Sequence, residues 1–67
     1  MATERFEYAE DGHNKFWELV PTNGGFNAFY GRINGKIVGP KFYVPQNAEK
    51  LKQQKLKKGY KKVYKKV

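Results

Sequence analysis

Apolar and charged residues alternate from Glu4 to Ala9, the period of two expected of a strand with one buried face. Asp11-Gly12-His13-Asn14 then gathers turn formers. Lys15 to Val20 is rich in aromatic and branched residues and predicts a second strand, stopped by Pro21. Thr22-Asn23-Gly24-Gly25 reads as the next turn and Phe26 to Ile33 as a third strand. Asn34-Gly35 is the strongest short hairpin signal in the chain and suits a type I′ turn. Lys36-Ile37-Val38 returns antiparallel, Gly39-Pro40 kinks that return, and Lys41 to Val44 extends it to Pro45.

The period changes after Pro45. Asn47 is the expected N-cap of a helix, with Ala48 and Glu49 in its first turn, where a carboxylate suits the helix dipole. Good helix formers run to Lys58, and Gly59 after them is a usual helix stop. Ala48, Leu51 and Leu56 share one arc of this helix with Lys55 near its middle, leaving Lys50, Gln53, Gln54 and Lys57 to solvent. Tyr60, Val63, Tyr64 and Val67 have helical spacing, but Gly59 interrupts and Tyr and Val favour strands. A short strand near Tyr60–Tyr64 with a frayed end is therefore expected. The prediction is a single α+β domain over 1–67: a small antiparallel sheet of four to five strands with one C-terminal helix packed on it. Residues 60–67 form its basic C-terminal strand or tail.

A chain of 67 residues makes one domain with a marginal core, since a domain near this size buries about 60% of the surface its unfolded chain exposes. Cysteine is absent, so no disulfide staples it; five Phe, five Tyr and one Trp supply the apolar area instead. With no signal peptide or membrane span in the pattern, an intracellular location is expected: cytoplasm or nucleoid in a bacterium, nucleus in a eukaryote.

Charge is the feature that narrows function. Through Val44, Arg5, Lys15, Arg32, Lys36 and Lys41 balance Glu4, Glu7, Glu10, Asp11 and Glu18. Beyond Pro45 nine lysines face only Glu49, so the whole +8 arises there. Crowded like charges destabilise a compact fold, which points to an anionic partner: nucleic acid first, DNA favoured, then an acidic protein, and a membrane surface least. Catalysis is poorly supplied. Serine and cysteine are absent, and His13 is the only histidine, placed in a turn. Neither a nucleophile–base pair nor a metal set assembles from this inventory, so a binding module is expected, with no enzyme activity, metal, cofactor or small-molecule substrate.

Within the third strand Ala28, Tyr30 and Arg32 share one face, and Phe29, Gly31 and Ile33 the other. Phe29 and Ile33 are then expected in the core, with Tyr30 and Arg32 on the opposite face. A ring beside a guanidinium matches a sugar-phosphate terminus, one stacking and the other forking onto phosphate. Cross-strand packing by Tyr30 and simple solvation of Arg32 are the alternative. Trp17 shares a face with Leu19 and is expected in the core, and Lys55 is expected to lay its stem along the sheet or pair with an acid such as Glu18. Lys50, Lys57, Lys58, Lys61, Lys62, Lys65 and Lys66 are candidate phosphate contacts, adding affinity and salt dependence without sequence choice, or else a solubilising face.

The blocks Arg5-Phe6-Glu7-Tyr8, Asn14-Lys15-Phe16-Trp17-Glu18-Leu19, Tyr30-Gly31-Arg32-Ile33 and Lys55-Leu56-Lys57-Lys58-Gly59-Tyr60 come in an order that resembles the WGR domain. That family occurs in DNA-damage-responsive poly(ADP-ribose) polymerases and in bacterial proteins. The resemblance runs from about Arg5 to Val63, with Tyr30 in the position of the name-giving tryptophan. It implies binding to DNA near strand breaks, with Tyr30 packing on the terminal nucleotide and Arg32 contacting DNA or a neighbouring domain. It also implies a runner-up role, docking against other protein domains.

Overall fold

The structure is a computed structural model that describes residues 3–63. Strands β1 (Glu4–Glu10), β2 (His13–Thr22), β3 (Gly25–Arg32) and β4 (Ile37–Tyr43) are followed by helix α1 (Pro45–Lys58) and strand β5 (Lys61–Val63). They form one antiparallel sheet in the order β4-β3-β2-β1-β5 with α1 packed on it, the α+β arrangement expected. The first four strands meander, and the helix carries the chain from the β4 edge back to the β1 edge, where β5 joins.

Two turns set the registers. Asp11 and Gly12 have φ of 51° and 76°, so the two-residue I′-type turn lies here and pairs Tyr8 with Lys15 and Phe6 with Trp17. The Asn23-Gly24 turn pairs Trp17 with Tyr30 and Lys15 with Arg32. The expected two-residue I′ turn at Asn34-Gly35 is instead a four-residue connection between β3 and β4, opening with a turn centred one residue earlier, in which the Gly35 N–H donates to the Arg32 carbonyl at 2.9 Å. Only Asn34 takes a positive φ there, 65°, as the third residue of a type II turn does. Pro21 does not stop β2, because β1 pairing begins at Glu4↔Leu19 and Pro21 lies beyond it, with only β3 alongside. The kink at Gly39-Pro40 is present as a register shift in β4.

Phe6, Trp17, Leu19, Ala28 and Ala48 make the core, flanked by Phe26, Tyr43, Leu51 and Tyr60, with the Phe6 and Trp17 rings 5.6 Å apart. Trp17 and Leu19 are buried as expected. The face assignment on β3 is reversed, however. Pairing of Trp17 with Tyr30 and Leu19 with Ala28 puts Ala28, Tyr30 and Arg32 on the helix-bearing face. Phe29 and Ile33 are only half-buried, and Phe29, paired with Glu18, lies on the other side. That second face closes without a second layer: Phe16 is buried beneath the Arg5 guanidinium, 4.4 Å from its ring centroid. Arg5 in turn pairs with Glu7 at 2.8 Å and Glu18 at 3.7 Å.

The helix starts two residues before the expected N-cap. Pro45 occupies its first turn, where a missing N–H costs nothing, and Val44 supplies no side-chain cap. Its end follows expectation: Gly59 takes φ 111°, its N–H donates to the Leu56 carbonyl at 3.2 Å, and the Tyr60 N–H donates to the Lys55 carbonyl at 3.1 Å, a Schellman closure. Ala48 and Leu51 face the sheet, but Leu56 is exposed, and the inward stripe continues through Lys52 and Lys55 instead. β5 is the short strand expected, and its pairing with β1 excludes a helix through Val63; Tyr64, Lys65, Lys66 and Val67 lie outside the described residues.

Candidate nucleic-acid interface

Helix α1 covers the centre of its sheet face and leaves one end bare. There the ladder sets Tyr8, Lys15 and Arg32 in one row and Trp17, Tyr30 and Val38 in the next. The β1–β2 turn forms one rim and the β3–β4 turn another, tied together by the Ile33 N–H donating to the Asn14 carbonyl at 2.9 Å. The last helical turn and Tyr60 make the remaining wall. The result is an open cleft of about 580 Å³ continuous with a second hollow of about 390 Å³, the two sharing His13, Lys15, Lys55 and Tyr60.

Gly31 gives this cleft its shape. It adopts φ 153°, and a Cβ there would run into the Lys36 carbonyl as β4 closes on β3. Tyr30 and Arg32 are set by that close approach. Tyr30 is 42% exposed, leaving surface for a base or sugar to stack on.

The electrostatics are one-sided. Lys15, Arg32, Lys55 and Lys58 line the two hollows, and among the described residues no carboxylate does. The rings beneath are close: Lys15 Nζ lies 5.9 Å from the Tyr8 centroid, and Lys55 Nζ lies 5.9 Å from Trp17 and 5.1 Å from Tyr60. Tyr8 and Tyr60 stack obliquely at 5.3 Å. Burial lowers the Lys55 amine below its ordinary range, and the charges of Lys58 and Lys15 push it the same way. Burial also raises the Tyr60 phenol, with Tyr8 adding to it.

The residues expected at the interface divide. Tyr30, Arg32 and Lys58 line the cleft. Lys50 and Lys57 are exposed on the helix away from it, and Lys61 pairs with Glu7 in register and so sits on the opposite face. Lys62 is drawn to Glu4 at 3.9 Å. Lys65 and Lys66 fall outside the described residues. Lys52 is structural: burial pulls its amine down, but hydrogen bonds and charge from Glu49 and Glu4, each at 3.3 Å, outweigh this and raise it. Lys55 takes the snorkelling role, over Trp17 and Tyr60, whereas Glu18 lies with Arg5 on the far face. Lys15, Tyr8 and Tyr60 were not singled out from the sequence. For Tyr8 and Lys15 the signal lay in the hairpin centred on Asp11-Gly12, which sets the two side by side, whereas Tyr60 is brought in by the pairing of β5 with β1.

Among the described residues no group of three His, Asp or Glu could hold a metal ion, and no helix is long and apolar enough to cross a membrane. Comparison with protein-family models, curated proteins and solved structures finds no match for this chain.

Proposed function

We propose that this chain is a non-enzymatic, WGR-like module that binds nucleic acid, duplex DNA and its ends foremost, largely without sequence choice. One observation carries the reading: Lys15, Arg32, Lys55 and Lys58, drawn from three elements, converge on a concave aromatic surface with no carboxylate among its described lining. Cations without counter-charges in a concavity favour a polyanion, and releasing its counterions supplies affinity. The Arg32 fork suits phosphate and the half-exposed Tyr30 ring suits a terminal base pair. The resemblance of the sequence blocks to WGR domains supports the same assignment. Lys50, Lys57 and Lys61, outside the cleft, add long-range attraction.

The test compares a blunt hairpin duplex with a covalently closed dumbbell of the same stem. Tyr30→Ala is expected to weaken binding to the open end more than to the closed stem. Equal loss on both removes end recognition, and absence of binding to either removes the nucleic-acid reading. A second reading, docking against an acidic protein partner or a neighbouring domain, draws on Ile37, Val38 and Phe42, which give the edge strand β4 an exposed apolar contact surface beside the cations. Saturable binding of duplex at physiological salt separates the two.

A further inference from the structure

Lys55 stands apart from the other described lysines. Lys52 is held by Glu4 and Glu49, Lys62 is drawn to Glu4, and Lys50, Lys57 and Lys58 are exposed. Lys55 is half-buried, lines both hollows and has its amine set over two rings. Among the described residues no carboxylate lies within ion-pair distance of it. Lys15 approaches from β2 and Lys58 from the same helix, with His13 on the rim and Arg32 on the opposite wall. This combination, apolar floor and like-charged neighbours, is the setting in which a lysine holds a larger neutral fraction and becomes a nucleophile toward carbonyls. The direction of its titration agrees.

The aldehyde that a nucleic-acid cleft meets is the ring-opened sugar of an abasic site. Tyr60, which lines both hollows together with Lys55, offers that sugar an apolar surface beside the amine. We infer that Lys55 forms a reversible imine with the C1′ aldehyde of an abasic sugar held in this cleft. The amine lone pair attacks the carbonyl carbon to give a carbinolamine. The two amine hydrogens then leave with the carbonyl oxygen as water, and the resulting C=N nitrogen takes a proton from solvent. No oxidant or reductant enters, and hydrolysis reverses the step. The inference rests on the nucleic-acid reading above, because the aldehyde must be delivered by a bound strand.

The experiment incubates the full chain with a duplex carrying one abasic site and adds sodium cyanoborohydride, which reduces an imine to a stable amine. The covalent adduct is then resolved on a denaturing gel and its attachment point mapped by proteolysis and mass spectrometry. A matched duplex with a tetrahydrofuran residue, which has no aldehyde, measures non-covalent binding. An adduct mapped to Lys55, and lost in Lys55→Arg at protein concentrations that saturate the tetrahydrofuran duplex, is the expected result. Binding to the tetrahydrofuran duplex with no adduct, or with an adduct on another amine, overturns this inference and leaves the nucleic-acid reading standing. No binding to either duplex overturns both.

Discussion

Lys15 on β2 and Arg32 on β3 are directly paired across the ladder, two cations on the same face of the sheet. Like charges in that position destabilise a sheet by about 0.2–1 kcal/mol, and neither has a carboxylate in the cleft to offset it. A sheet optimised for stability alone would place an acid at one of them. The pair fits a surface kept for an anion. Arg32→Glu converts the repulsion into a cross-strand ion pair and leaves Lys15 over Tyr8. Its unfolding free energy is expected to rise by about 0.5–1 kcal/mol while duplex affinity falls. Urea denaturation and fluorescence anisotropy on one preparation measure both; a drop in stability contradicts the cross-strand account.

Salt dependence counts the contacts. With four cations in the cleft, log K against log salt for duplex DNA is expected to slope at about −3 to −4. Lys58→Gln is expected to reduce that slope by about 1, and Lys50→Gln to reduce it less. A flat titration rules out phosphate contact as the source of affinity.

The helix stop is a test of the fold. Gly59 sits at φ 111° with Tyr8 Cε2 3.2 Å from where a Cβ would stand. Gly59→Ala is expected to lower stability by about 1–2 kcal/mol, through the left-handed conformation and the push on the Tyr8–Tyr60 stack. Phe6→Ala, which removes the most buried ring, is expected to cost about 3–5 kcal/mol and to unfold much of the chain at room temperature. Thermal melts followed by circular dichroism rank the two.

Alkaline pH reads the aromatic wall. Burial disfavours the Tyr60 phenolate, so its folded value lies above the ordinary 10.0. Stability from this group is therefore complete below about pH 10 and is lost as pH rises through the folded value. Tyr60→Phe lacks that loss, so its stability is expected to fall less than that of the unmodified chain between pH 9 and 11, about one unit either side of the reference tyrosine value. Parallel curves for the two proteins would place the phenol in water.

Much of the fold is legible along the chain because short turns carry it. Asp11-Gly12 and Asn23-Gly24 centre the two hairpins, and with a side-chain period of two they alone determine that Phe6, Trp17 and Tyr30 share a face. The face of β3 is decided by its register with β2, which pairs Glu18 with Phe29, and not by the hydrophobicity of Phe29 and Ile33. Phe16 and Phe29 lie opposite the helix because Arg5, Glu7 and Glu18 can roof that side, a tertiary ion-pair arrangement no local pattern reveals. Leu56 stands at the edge of the inward arc and is exposed, while Lys55, three and four residues beyond Lys52 and Leu51, lies in line with them and meets Trp17.

The site was legible in Tyr30 and Arg32, adjacent in sequence and on one face. Its other members depend on closure. Tyr8 and Tyr60 meet only when β5 pairs with β1, and Lys15, Lys55 and Lys58 converge only when the helix crosses the sheet. The net charge lies in the lysine-rich segment, yet a cation from the electrically balanced half, Lys15, lines both hollows of the cleft.

The most direct measurement compares two double charge reversals of equal net charge, Lys15→Glu with Lys58→Glu inside the cleft and Lys50→Glu with Lys57→Glu outside it, by anisotropy on a labelled blunt duplex at physiological salt. Loss of binding in the cleft pair, with only a modest weakening in the outer pair, is the expected result. Equal losses in the two would mean that net charge alone, and not the cleft, holds the nucleic acid.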